Sequence, residues 1–132
     1  MSEHPDSFDI PVRVRYAECD SFGLLHHARY FEYFEMARTE LLRSRGIRYR
    51  DLEAQGVFFV VTRIECRYRA PVRYDDLVTI RTRVVRKTRT RVDHTYEMHV
   101  DGRLVTEAAS TLACVGRDGR PALMPEAMWS AT

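Results

Sequence analysis

Within the fifteen residues Tyr16-Ala17-Glu18-Cys19-Asp20-Ser21-Phe22-Gly23-Leu24-Leu25-His26-His27-Ala28-Arg29-Tyr30 the chain gathers two carboxylates, two imidazoles and two phenols. A long helical pattern begins directly afterwards. The first-turn N–H groups of a helix have no acceptors within the helix, so they can polarise a carbonyl oxygen. A carboxylate beside them can attack the carbonyl carbon or activate a water against it. Hydrolysis of an acyl bond is the chemistry that suits this arrangement.

The elements that must position these residues are legible in the apolar spacing. Phe8, Ile10, Val12, Val14 and Tyr16 alternate with Asp9, Pro11, Arg13 and Arg15, the period of a half-buried strand, and Pro11 marks an edge or a bulge. After the turn-like Asp20-Ser21-Phe22-Gly23, the residues Tyr30, Phe31, Phe34, Ala37, Leu41 and Leu42 recur at spacings of three and four. They predict one long helix over Ala28 to Arg45, with Gly46 as its left-handed cap. A shorter helix is expected over Tyr49 to Ala54, broken by Gln55-Gly56. Phe58, Val60, Thr62, Ile64, Cys66 and Tyr68 then read as one face of a strand, and Val78, Ile80, Thr82 and Val84 as another. Val92, His94, Tyr96, Met98 and Val100 form a third, Asp101-Gly102 is a two-residue hairpin turn, and Leu104 to Val115 returns. Gly116 to Pro121 ends the sheet, and an irregular tail follows.

The order of strand, long helix and four successive strands describes an α+β domain with a five-stranded, largely antiparallel sheet. Its one long helix has a single apolar stripe and is expected to lie across the concave face of a strongly twisted sheet. The other face is left for solvent or a partner, which points to a homo-oligomer.

Length and composition bound the possibilities. With 132 residues, 45% of them hydrophobic, a single domain over 1–132 is expected, its core spanning about residues 8–116. Lys and Arg (21) nearly balance Asp and Glu (19), so no global charge drives the chain toward nucleic acid or a membrane surface. The three cysteines, Cys19, Cys66 and Cys114, form no C-x-x-C pair, and an odd number argues against a secreted disulfide framework. Met1 to Pro11 carries Glu3, Asp6 and Asp9 and lacks the apolar run of a signal peptide. A cytoplasmic location without membrane insertion is the expectation.

The segment Tyr16-x-Glu18-x-Asp20-x-x-Gly23-x-x-His26-His27-Ala28-Arg29-Tyr30, followed by Phe34-Glu35-x-Ala37-Arg38, resembles the 4-hydroxybenzoyl-CoA thioesterase branch of the hotdog-fold acyl-CoA thioesterases. Tyr68-Arg69-Ala70-Pro71-Val72-Arg73-Tyr74-Asp75-Asp76 is similar to that family's turn between its second and third strands. The resemblance implies a sheet wrapped around one long helix, assembled as dimers or higher oligomers with active sites between subunits, and a homodimer or homotetramer is expected here. It implies Asp20 as the catalytic acid and the backbone N–H at about His27 as the donor to the thioester oxygen.

Thiolate is a good leaving group, so in such a reaction the electrostatic demand falls on the developing oxyanion, and no Ser-His-Asp triad is required. An Asp, with an unperturbed pKa of about 3.9, is ionised at neutral pH and suits either attack through a mixed anhydride or general-base activation of water. Asp-Ser-x-Gly is also good turn chemistry, but the company of Glu18, Gly23, His27 and Tyr30 favours catalytic use. Tyr16, Glu18, Gly23, His26 and Tyr30 are the expected substrate contacts around it. Tyr30 and Phe34 also lie on the apolar stripe, where core packing is the ordinary use, and Glu35 with Arg38 reads as an i, i+3 pair.

Arg81-Thr82-Arg83-Val84-Val85-Arg86-Lys87-Thr88-Arg89-Thr90-Arg91 reads either as a solvated strand and hairpin or as an anion site. The phosphates of coenzyme A need several cations, and Arg86, Arg89 and Arg91 are the expected contacts. No metal is expected: His26 and His27 are adjacent, His94 and His99 are five apart, and no H-E-x-x-H motif occurs. Coenzyme A enters as part of the substrate, not as a cofactor, and acyl carrier protein is the alternative carrier. The competing functions are a hotdog dehydratase or hydratase, a non-catalytic acyl-CoA or acyl-carrier-protein binding module, and a nucleic-acid reader built on the arginine run, which the balanced charge disfavours.

Overall fold

The computed structural model describes residues 6–129. The ends of the expected 1–132 domain, including Glu3 of the acidic leader, lie outside the described residues. The chain runs β1 (Ser7–Arg13), a single 3-10 turn (Tyr16–Glu18), α1 (His27–Ser44), α2 (Tyr49–Ala54), β2 (Phe58–Tyr68), β3 (Leu77–Lys87), β4 (Arg91–Val100), β5 (Arg103–Val115) and α3 (Glu126–Trp129). The strands form one sheet in the order β1-β3-β4-β5-β2, every neighbouring pair antiparallel. Pro11 sits in the edge strand β1, where a missing N–H is tolerated. No helix among the described residues is long and apolar enough to cross a membrane.

Alternation in the central strands turns Val78, Ile80, Tyr96, Met98 and Val105 inward, and α1 lays Tyr30, Tyr33, Phe34, Ala37 and Leu41 upon them. Phe34 stacks on Tyr96 with ring centroids 4.6 Å apart. Burying side chains of this size stabilises by about 1.5–3 kcal/mol each. The stripe differs from the expected one at two positions, because Tyr33 is buried while Phe31 stays 37% exposed. At about 100° per residue the centre of the stripe lies between Phe34 and Ala37, which leaves Phe31 on its flank. Gly46, at φ 81°, ends α1 as expected. Its N–H donates to the Arg43 carbonyl and that of Ile47 to the Leu42 carbonyl, satisfying two of the acceptors left open at the helix end.

Two strand readings are corrected. β1 stops at Arg13, and Tyr16 belongs to the 3-10 turn instead of the strand face. In β2 the register slips between Val61 and Arg63, leaving Thr62 as a bulge. A one-residue slip exchanges the faces, so Phe59 packs inward before the bulge, and Ile64 and Cys66 do so after it. The single face expected over Phe58 to Tyr68 is therefore two half-faces. The tail, expected to be irregular, instead ends in α3 and buries Met124 and Met128 beside Leu52, Val92 and Cys114. It is tied to the β3–β4 hairpin by Lys87 Nζ donating to the Met128 carbonyl at 3.1 Å and by the Met124 N–H donating to the Arg89 carbonyl at 2.7 Å.

Candidate active site

The chain between β1 and α1 is pinned at both ends. Val14 N–H donates to the Asp76 carbonyl and Leu25 N–H to the Val72 carbonyl, fixing the segment against the β2–β3 connection. Between them Asp20 and Leu24 form a tight turn: Asp20 N–H donates to the Leu24 carbonyl at 2.8 Å and Gly23 N–H to the Asp20 carbonyl at 3.0 Å. Gly23 has φ 77°, a left-handed conformation that glycine takes without steric cost. Asp20 Oδ1 accepts from the amides of Phe22 (2.8 Å) and Leu24 (3.2 Å), so the turn chemistry read in the sequence is real. The same bonds orient the exposed carboxylate, and among the described residues nothing bonds its other oxygen.

The helix start is held next to this turn. Cys19 pairs with Leu25 in a short antiparallel bridge, and His26 N–H donates to the Glu18 carbonyl at 2.9 Å. His26 is the N-cap of α1: its Nδ1 accepts from Ala28 N–H at 3.2 Å, and its carbonyl takes the Arg29 N–H at 2.9 Å. An imidazole thus does what Ser or Asp commonly does at a helix start. Of the first three helical amides, that of His27 alone has no acceptor among the described residues. The His27 ring is exposed and stacks on His26 at 4.3 Å.

Two expected substrate contacts turn inward instead. Glu18 is 5% exposed, and its Oε1 accepts from the Tyr33 hydroxyl at 2.7 Å and from Arg15 N–H at 2.9 Å, while Oε2 meets the Arg15 guanidinium at 3.2 Å. Burial alone would raise its pKa, but these donors outweigh it and hold the carboxyl below its ordinary value. Glu18 is a strut beneath the turn. Tyr30 is buried in the core with its ring edge-on to Tyr68 at 4.8 Å, and desolvation, with Cys66 and Tyr68 beside it, pushes its hydroxyl up to about 12. Tyr16, by contrast, is exposed and meets the exposed Tyr74 edge-on at 5.5 Å, and Phe22 is 84% exposed. Phe22 lies in the Asp20 turn and the Tyr74 N–H donates to the Gly23 carbonyl at 3.0 Å, so these exposed rings flank the turn.

The arginine run lies elsewhere. β3 begins beside the Asp20 loop and carries the run toward its far end, so at about 3.3 Å per residue the hairpin lies roughly 33 Å away. There Arg91 forms a two-pronged pair with Asp93 (3.0 and 3.0 Å), and Arg89 donates to the Met124 carbonyl at 3.1 Å and lies 5.7 Å over the Trp129 ring. Arg86 is exposed in the strand register opposite Asp93. One chain does not bring Arg86, Arg89 and Arg91 to Asp20 and His27.

A cavity of about 300 Å³, separate from the Asp20 turn, opens under the C-terminal half of α1, walled by residues that include Leu42, Tyr49, Phe59, Val92, Leu112 and Met128. Arg38, Lys87 and His94 bring polar atoms to it. The Asp20 turn, by contrast, holds an oriented carboxylate and an open helix-start amide. Sequence reasoning missed the Glu18–Tyr33 bond and the cavity. Tyr33 lies three residues past Tyr30 on the helix, a spacing that could have revealed it, whereas the cavity residues come from five separate segments.

An antiparallel sheet of five strands wrapped around one long helix makes this a hotdog fold. A hypothetical protein, TT1821, from Thermus thermophilus superposes with a TM-score of 0.89 at 34% identity, over 95% of this chain and 94% of that one. The chain belongs to the thioesterase-like superfamily, whose family model matches residues 14–131. It is 36% identical over 109 residues to the acyl-CoA thioester hydrolase YbgC of Escherichia coli O6:H1, covering 82% of this chain and 81% of that protein. The DHNA-CoA thioesterase of Staphylococcus aureus superposes with a TM-score of 0.86 at 30% identity, over 89% and 80% of the two chains.

Proposed function

We propose that this protein hydrolyses acyl-CoA thioesters to a free carboxylic acid and coenzyme A. Asp20 acts as nucleophile or general base, and the His27 main-chain N–H polarises the thioester carbonyl. The observation that carries this reading is the Asp20 turn itself: one carboxylate oxygen held by two amides, the other without a protein partner, beside a helix whose first amide is open. Holding one oxygen fixes the direction of the other before substrate arrives, so little reorganisation remains for the reaction. In the nucleophilic route Asp20 displaces thiolate and forms a mixed anhydride that water then opens. In the general-base route it takes a proton from the attacking water.

The site in one chain is open to solvent, and Tyr16, Phe22 and Tyr74 form an apolar rim beside it. A second copy of the chain covering that rim would exclude water and close a cleft over the carboxylate. A homodimer or homotetramer is therefore part of the proposal. Phosphate contact by Arg86, Arg89 and Arg91 requires that these residues come from a different copy than Asp20.

Thiol release from a panel of acyl-CoA and acyl-carrier-protein substrates, with light scattering on the same samples, tests the reading. Asp20→Asn keeps the oligomer and acyl-CoA binding and loses on the order of 10²-fold or more in turnover. Undiminished turnover in a folded Asp20→Asn protein rejects the assignment. Binding without thiol release in the native protein points to a carrier module instead.

A further inference from the structure

The cavity beneath the C-terminal half of α1 has a composition that the hydrolysis reaction does not use. His94 is 7% exposed, faces inward from β4, and its Nδ1 is buried without a hydrogen-bond partner among the described residues. The Arg38 side chain is 14% exposed; its Nη1 lies 3.4 Å from the Tyr96 hydroxyl and its Nη2 3.9 Å from Glu35. Lys87 donates to the Met128 carbonyl at 3.1 Å, and desolvation lowers its pKa. Arg45 closes the cavity edge, ion-paired with Asp6 at 3.1 Å. Three cations therefore face this space, opposed by Glu35, whose side chain is 71% exposed, and by Asp6. With Glu35 turned largely to solvent, cations beside apolar walls favour a further anion, and an unpartnered imidazole nitrogen adds a directional group.

We propose that this cavity is a binding site for a small amphipathic carboxylate, separate from the reaction site. The carboxylate sits between the Arg38 guanidinium and the Lys87 ammonium, and the neutral His94 ring donates its Nδ1–H to one carboxylate oxygen. The apolar body lies against Leu42, Phe59, Val92 and Leu112. A volume of about 300 Å³ suits a medium-length alkyl chain or a single aromatic ring. A free phosphate satisfies the cations but leaves the apolar walls unused, so the ligand class is an organic acid. Along α1, at about 1.5 Å per residue, Arg38 lies roughly 16 Å from the His27 amide, too far for one carboxylate to reach both.

Titration of the full chain with octanoate, read by calorimetry and by the ¹⁵N resonances of the His94 ring, tests this. One octanoate binds per chain, the His94 signals shift, and octan-1-ol binds at least tenfold more weakly. Arg38→Gln and Lys87→Met each weaken octanoate at least tenfold, so Lys87→Met decides the matter if Arg38→Gln fails to fold. Saturating the Asp20→Asn protein with acetyl-CoA, which it binds without turnover, leaves octanoate affinity unchanged, which separates this site from product binding at the reaction site. Three results overturn the proposal: no saturable binding, equal binding of octan-1-ol, or displacement of octanoate by acetyl-CoA in the Asp20→Asn protein. Thiol release by the Asp20→Asn protein reports on the hydrolysis reading alone, so the two can fail independently.

Discussion

Glu18 supports the Asp20 turn from inside the protein. Its carboxylate receives a phenol, an amide and a guanidinium, and the chain it anchors leads within two residues to Asp20. Because Oε1 is shared between Tyr33 and Arg15, removing the Tyr33 hydroxyl weakens the strut without leaving the carboxylate unpaired. Tyr33→Phe is expected to cost about 1–2 kcal/mol in urea unfolding at pH 7. It also raises the Glu18 pKa toward the ordinary range. A carboxyl held low in the folded state stabilises above its unfolded pKa of about 4.3, and that contribution disappears as the pH falls through the folded value. The difference between Tyr33→Phe and the native protein therefore shrinks when unfolding is measured at pH 3. An unchanged difference at pH 3 would show that the hydroxyl acts through packing alone.

At the scale of elements, α1 joins two sites through its two ends. Its N-terminus is capped by His26 and leaves the His27 amide open, and its C-terminal half roofs the cationic cavity. The stop at Gly46 fixes where that roof ends and where α2 begins. Gly46 has φ 81° and open space where a Cβ would stand, so substitution costs backbone strain without a clash. Gly46→Ala is expected to lose about 1–2 kcal/mol of stability, measured by thermal unfolding, while octanoate and acyl-CoA binding persist in the folded fraction. The bulge at Thr62 acts at the same scale. It lets one strand cover two buried clusters that a strictly alternating strand would serve from a single face.

For the whole molecule, the most consequential titrating group is His94. Burial, with Arg38 facing it, lowers its pKa from 6.5 to about 3 while Asp93 opposes only in part. The unfolded chain binds a proton that the folded one refuses throughout that window. Stability is therefore full above about pH 6.5 and falls as the pH drops toward 3, by about 1.4 kcal/mol per pH unit from this group. Urea midpoints between pH 4 and 7 read the slope, and His94→Leu is expected to flatten it. A bound octanoate adds a negative charge beside the ring and is expected to shift the acid limb to lower pH.

The sequence alone determined the order of the five strands and the two helices α1 and α2, the turn at Asp20, the stop at Gly46 and the Asp101-Gly102 hairpin, because each rests on neighbours a few residues apart. It also held the hotdog resemblance, since the motif from Tyr16 to Arg38 is contiguous in the chain. Only the tertiary structure decided that Glu18 and Tyr30 point inward, since those outcomes depend on partners brought by Tyr33 and Tyr68. Only it placed Arg86, Arg89 and Arg91 far from Asp20, because an extended strand carries its two ends apart. The cationic cavity was likewise hidden: Arg38 is far along the chain from the hairpin that carries Lys87 and His94, and no local spacing encodes their meeting.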